Sequence, residues 1–227
     1  MHVLHIGNKN YSSWSLRPWV LLTTLGIPFT EAQHYFPDDG PSYPQFRKFS
    51  PTGFVPVLDD GDIKVWDTLA IVLHVAEQHP EVWPADAPAR SWARSAAAEM
   101  HSSFGTLRNT CGMNVGIRTR PPVMTSALSR DIERLDELWT EGLTRFGGPY
   151  LAGEKFTAVD AFFCPIAFRA QTYSLPFRNK PYITRLLELP AMKAWADAAL
   201  EETAREPGHE AETAGSHEVT EDMRAKA

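Results

Sequence analysis

The 227-residue chain is expected to fold as an α/β N-terminal half followed by an all-α C-terminal half. Three observations carry this expectation. Strand-like and helix-like segments alternate over the first eighty residues, two of them flanking an Asp-Asp-Gly-Asp turn. The stretch "HPEVWPADAPA" (79–89), rich in proline and alanine, then reads as a linker. Beyond it the strand signal disappears and apolar residues recur at helical spacing.

Taken in order, "HVLHIG" (2–7) is short, apolar and ended by Gly7, a strand pattern. "LRPWVLLTTLG" (16–26) is too long and leucine-rich for one strand; it reads as a helix ended by Gly26, with Pro28 beyond. Proline is free of cost only in a helix's first turn, so Pro18 puts the helix start close to Ser15, with Ser12 and Ser13 just outside it. "FTEAQHYF" (29–36) is a second strand and "DDGPSYPQF" (38–46) a loop. "VPVL" (55–58) and "IKVW" (63–66) form the hairpin around "DDGD", with Pro56 opening the third strand in a turn that suits a cis bond. Leu69, Ile71, Val72 and Val75 mark a helix that Asp67 or Thr68 caps, and Pro80 lies beyond its end. Strand, helix, strand, loop, hairpin, helix is a thioredoxin-like order.

In the second half, Trp92, Ala96, Met100, Phe104 and Leu107 form one stripe over 90–109. Leu128, Ile132, Leu135, Trp139 and Phe146 form another over 126–146. "FTAVDAFFCPIAFRA" (156–170) opens on Thr157 and Asp160 at capping-box spacing. It is apolar on most sides, so it belongs in the core, with a kink expected at Pro165. "PYITRLLELP" and "AMKAWADAALEETA" add two short helices. From about Arg205 the chain is polar and nearly free of large apolar residues, the pattern of a disordered tail. The domains expected are therefore 1–80, 89–204 and a tail at 205–227.

Composition narrows the function. With 43% hydrophobic and 22% charged residues the chain is ordinary for a soluble domain, and a net charge of −6 argues against a nucleic-acid surface. No apolar run approaches the roughly 20 residues that span a bilayer, so no membrane partner is expected. The start, "MHVLHIGNKN", shows no signal-peptide pattern. Cys111 and Cys164 stand alone, without metal-ligand spacing, so no metal is expected and the cytoplasm is the natural compartment.

Several segments together resemble one family. "YSSWSLRPW" resembles the Ser-Ser-Cys-x-x-Arg signature of zeta-like glutathione S-transferases and the serine motif of the tau-like class. "SPTGFVPVL" resembles their Asn-Pro-x-Gly-Lys-Val-Pro-Val-Leu, "WDTLAI" their Glu-Ser-x-Ala-Ile, and "FTAVDAFFCPIAFR" their C-terminal capping box. The chain is thus similar to a bacterial member of the soluble glutathione S-transferases. That resemblance implies a thioredoxin-like glutathione-binding domain over 1–80, an all-helical domain holding an acceptor pocket over 89–204, glutathione as co-substrate, a small hydrophobic electrophile as partner in detoxification, and a homodimer.

The chemistry explains the serines. A free thiol has a pKa of about 8.5, and lowering it by ~2 units takes about 2.7 kcal/mol of preferential thiolate stabilisation. A donated hydroxyl with a helix N-terminus behind it supplies stabilisation of that kind. By motif register the matching residue is Ser12, with Ser13 next and Ser15 or Tyr11 as rivals; capping and turning the chain is the purely structural role. The resemblance implies that Val55 pairs through its backbone with the cysteinyl unit beside Pro56. Asp67 and Thr68 would hold the γ-glutamyl end. Phe54 stands where the motif has lysine, which leaves Lys48 or Gln45 to meet the peptide's carboxylate. Tyr11, Trp14, Phe36, Met100, Phe104 and Arg108 are the acceptor-pocket candidates, with core packing the alternative for Met100 and Phe104 and a solvated face for Arg108. Conjugation, peroxide reduction, a zeta-type isomerisation of a maleylacetoacetate-like acid and a non-catalytic binding module all remain open; Trp14 in place of cysteine weighs against the isomerase.

Overall fold

A computed structural model describes residues 2–37 and 42–226. The N-terminal half is a four-stranded sheet with helices against it. Strand β1 (His2–Ile6) pairs in parallel with β2 (Phe29–Gln33) and antiparallel with β3 (Val57–Asp60), which pairs antiparallel with β4 (Ile63–Trp66). The order is β2-β1-β3-β4. The hairpin turns at Gly61, whose φ of 62° needs a residue without a side chain. The Val55–Pro56 peptide bond is cis.

Helix α1 spans Ser13–Leu25 and ends, as expected, on Gly26 in the left-handed conformation. Its start differs from the expectation: it begins at Ser13, with Ser12 at the cap position, and Pro18 lies inside it. An interior proline leaves the carbonyl four residues earlier without its N–H. Here that carbonyl is Trp14's, and the Thr68 hydroxyl donates to it at 3.0 Å. A side chain from elsewhere in the chain fills the gap, which local rules do not foresee.

A single helical turn, α2 (Tyr43–Phe46), lies within the segment expected as loop at 38–46, of which 38–41 fall outside the described residues. Helix α3 (Thr68–Ala76) is capped by the Asp67 carboxylate, which accepts from the Leu69 N–H at 2.8 Å. The expected linker gives way early to α4 (Ala87–Ser102), because Asp86 caps it through the Ala89 N–H. The helix expected over 90–109 is broken: Phe104 adopts φ 59°, and α5 (Gly105–Thr110) follows, its Leu107 N–H held by Asp131.

Helix α6 (Ser126–Phe146) and the buried α7 (Ala158–Thr172) form as expected. Asp160 is fully buried and accepts from the Thr157 and Leu151 N–H groups and from the Tyr182 hydroxyl, each at about 3 Å. Burial raises its carboxyl to about 6. Helices α8 (Lys180–Glu188) and α9 (Pro190–Glu201) complete the bundle. α7 packs against α1, α4 and α8, so one continuous core joins the two halves.

The tail is the main correction. Residues 207–212 form α10 (Pro207–Glu212), and β6 (Val219–Asp222) pairs antiparallel with β5 (Ile117–Thr119), a strand inside the half expected to be all helix. The Met223 N–H reaches the Gly116 carbonyl at 2.9 Å, and the Ala225 N–H the Leu200 carbonyl at 2.7 Å. Polar contacts hold this segment, so its lack of large apolar residues gave no sign of order. Among the described residues no helix is long and apolar enough to cross a membrane.

Candidate functional site

The serine stretch straddles the end of a loop, 7–12, that is tied down by the other half, and the start of α1. The Glu202 carboxylate accepts from the Lys9 N–H at 2.6 Å and the Asn10 N–H at 3.1 Å, and also from the Gln33 amide. The Trp195 indole donates to the Lys9 carbonyl at 2.8 Å, and the Asn10 amide to the Ala199 carbonyl at 2.6 Å. Two turn bonds follow, from the Tyr11 and Ser12 N–H groups to the Asn8 carbonyl, and α1 then begins. The Ser13 N–H, the first of that helix, donates to the Tyr11 carbonyl at 2.8 Å, and the positive end of the helix lies beside the serine side chains.

The three serines divide by hydrogen bonding. Ser15 is fully buried and its hydroxyl accepts from the Gly7 N–H and from the Ser12 hydroxyl, the latter at 2.7 Å. Ser12 thus spends its proton internally. The Ser13 hydroxyl has no partner among the described residues, and Ser13 opens onto a cavity of about 500 Å³. Tyr11 donates to Glu210 at 2.6 Å; burial and that carboxylate both raise its phenol, which removes it as a rival to the serines.

The cavity's walls come from distant segments: Tyr11 to Trp14, Phe36, Phe46 with Phe54 and Val55, Arg108 with Met113, Arg169, and from the tail Glu206, His209, Glu212 and Thr213. His209 stacks on Tyr11 and on Phe36, with ring centroids 5.1 and 5.0 Å apart. A groove of about 490 Å³ adjoins it across Trp14, Phe54 and Val55, and is completed by Thr52, Pro56, Trp66, Asp67 and Thr68. Asp67 has a φ of 74°, an uncommon strain for a non-glycine residue. Its carboxylate reaches toward the His101 ring at 3.5 Å.

Residues 11–78 match the family model described as "Glutathione S-transferase, N-terminal domain". A zeta-class glutathione S-transferase of Euphorbia esula is 26% identical over 181 residues, spanning 78% of this chain and 80% of its own. The F14 glutathione S-transferase of Arabidopsis thaliana is 31% identical over 156 residues, 65% of this chain and 59% of its own. Residues 11–78 thus match the N-terminal domain of the glutathione S-transferases, and the chain as a whole is similar to members of that family. Among solved structures, a glutathione transferase homolog from Burkholderia with bound glutathione matches with a TM-score of 0.62 at 20% identity. It covers 87% of this chain and 97% of its own, a likeness of fold.

Set against that family's motifs, the structure gathers most of the expected site residues and separates four. Val55, Pro56, Asp67 and Thr68 share the groove; Tyr11, Ser12, Ser13, Trp14, Phe36 and Arg108 share the cavity. Gln45 and Lys48 instead line a separate hollow with His34, Tyr35 and Phe49, because the turn at α2 carries them to the other side of Phe46. Met100 and Phe104 are core residues, 0% and 5% exposed, and line neither space. Sequence reasoning missed Arg169 and the tail residues. Arg169 is 4% exposed within a mostly apolar helix, and a charge in that position is itself a signal.

Three arginines surround Trp14's side of the site. Arg17 and Arg108 lie over the Trp14 ring at 4.1 and 5.1 Å. Burial, with Arg169 and Arg108 close by, lowers the Arg17 guanidinium well below its usual range; burial lowers Arg108 too. Burial disfavours the thiolate of both cysteines, pushing Cys111 up to about 12 and Cys164 well above its ordinary value. Among the described residues no group of three His, Cys, Asp or Glu is placed to hold a metal.

Proposed function

We propose that this protein conjugates glutathione to small electrophiles, the peptide lying in the groove and the electrophile in the adjoining cavity. In this reading the Val55 backbone, next to cis-Pro56, pairs with the cysteinyl unit, and the start of α3 at Asp67 and Thr68 receives the γ-glutamyl end. The sulfur then comes to Ser13 at the start of α1. The observation that carries the reading is the unpartnered Ser13 hydroxyl at a helix N-terminus facing the cavity. Ser12, bonded to Ser15, serves as its neighbour and as a second donor if its hydroxyl turns outward. Trp14 fills the cysteine position of the zeta-like signature and its ring carries two guanidinium groups, so conjugation is favoured over isomerisation.

In conjugation the thiolate sulfur forms the new bond to the electrophilic carbon, the leaving group departs with its electron pair, and the thiol proton passes to water. The family's dimer is part of this reading. Phe54, Ile63, Trp66 and Leu73 are exposed apolar residues on the N-terminal half. The test is ultraviolet titration of bound glutathione in the native protein and in Ser13→Ala. The native complex is expected to ionise ~2 units below free thiol, and the alanine variant to lose about a hundredfold in kcat/KM with its fold intact. A bound thiol that ionises as it does in buffer refutes the mechanism.

A further inference from the structure

The cations at and behind the cavity lack direct ion pairs among the described residues: Asp131 acts on Arg108, and Asp67 on Arg17, only at a distance. Arg169 donates its Nε–H to the Cys111 carbonyl at 2.7 Å, and its buried Nη1 has no partner. Arg108 donates one Nη1–H to the His101 carbonyl at 3.1 Å. Arg17, behind Trp14, donates its Nε–H to the Phe162 carbonyl at 3.2 Å, and both of its buried Nη atoms are unpartnered. Among the described residues no carboxylate forms an ion pair with any of the three. The acids at the cavity are otherwise engaged or lie on the tail wall. Glu206 accepts from the Gly208 and His209 N–H groups and from the His209 ring, and Glu210 from Tyr11 and Arg224. Glu212 lines the cavity from α10. A buried guanidinium has five donors and no acceptor, and leaving several unmet is costly unless a ligand meets them.

We propose that Arg169 and Arg108 form an anion subsite that holds the carboxylate of the acceptor, so that the preferred electrophile is a flat, conjugated or aromatic acid. This rests on the glutathione reading above and deepens it. The fork of Arg169 fits the two oxygens of a carboxylate. Trp14, Phe36, Phe46, Phe54 and Met113 line the same cavity and suit a flat apolar body attached to that group. Arg17 adds positive potential from behind the tryptophan without lining the cavity.

The test uses 4-chloro-3,5-dinitrobenzoate and its neutral methyl ester as paired acceptors. In each, sulfur bonds to the ring carbon bearing chlorine, the C–Cl bond breaks with its pair leaving as chloride, and the thiol proton goes to solvent. The native protein is expected to show a KM for the acid about tenfold to a hundredfold below that for the ester. Arg169→Lys and, should that variant not fold, Arg108→Met should collapse that ratio toward one. Glutathione and unreactive 3,5-dinitrobenzoate are titrated separately by calorimetry. Equal KM values for acid and ester in the native protein overturn the proposal. So does a variant that loses glutathione affinity while keeping the ratio, since the arginines would then hold the peptide's own carboxylate. If glutathione does not bind but dinitrobenzoate binds in an arginine-dependent way, the anion subsite stands and the transferase reading falls. If neither binds, both fall.

Discussion

The groove and the cavity meet at Trp14, Phe54 and Val55, yet they are built in opposite ways. The groove is made by the first 68 residues: a helix start, a cis-proline strand entry and a capped helix start, each a local motif. The cavity draws on α1, α5, α7 and α10, which are distant in sequence, and its cations sit on helices otherwise packed into the core. The difference teaches that the groove is a set of short-range backbone devices. The cavity is a product of packing. Glu202 crosses this division: it belongs to the end of α9, yet it fixes the loop that presents the serines.

The largest effect expected is on the cavity's supporting helix. Asp160 anchors the start of α7, which carries Arg169. Its folded pKa, about 6, lies above the ordinary 3.8, so the fold favours the protonated carboxyl. That contribution is complete below about pH 4 and is lost as pH rises through 6, a change of about 3 kcal/mol. Urea unfolding of the native protein and of Asp160→Asn, compared at each pH, should therefore show the native chain losing ground between pH 4 and 6. A flat difference would mean that the helix start is held in some other way.

Next comes Glu202→Ala, which strands the buried Lys9 and Asn10 N–H groups and should cost about 2–3 kcal/mol in thermal or urea unfolding. It should also lower kcat, because the serine loop loses its tether. If stability falls and kcat holds, the N-terminal half positions the serines by itself and the comparison above becomes stricter. The smallest effect expected is from deleting the chain after Glu206. This opens the wall made by His209, Glu212 and Thr213 and should raise the acceptor KM about tenfold, with little change in glutathione affinity by calorimetry. An equal loss in both would show that tail, groove and cavity act as one site.

Much of the N-terminal half was legible because its signals are local. The Asp-Gly turn, Gly26 as a helix stop, Asp67 as a cap and the order of strands are all consequences of backbone dihedrals and of groups a few residues apart. The start of α1 was misjudged by two residues because the rule for proline knows nothing of Thr68, which satisfies the carbonyl that Pro18 leaves free. The break at Phe104 and the roles of Gln45 and Lys48 were hidden for a similar reason. Direction of a side chain depends on what packs behind it.

By itself, then, the sequence determined the two-part architecture, the buried helix opening on Thr157 and Asp160, and the placing of serines at a helix start beside a proline-opened strand. These follow from periodicity and from short-range hydrogen bonding. Only the tertiary structure decided which serine keeps a free hydroxyl, that a polar tail closes the cavity, and that Arg169 and Arg108 share that space with no carboxylate in ion-pair contact among the described residues. Each of those depends on groups brought together from far along the chain, where partner and distance are set by packing rather than by neighbours in sequence.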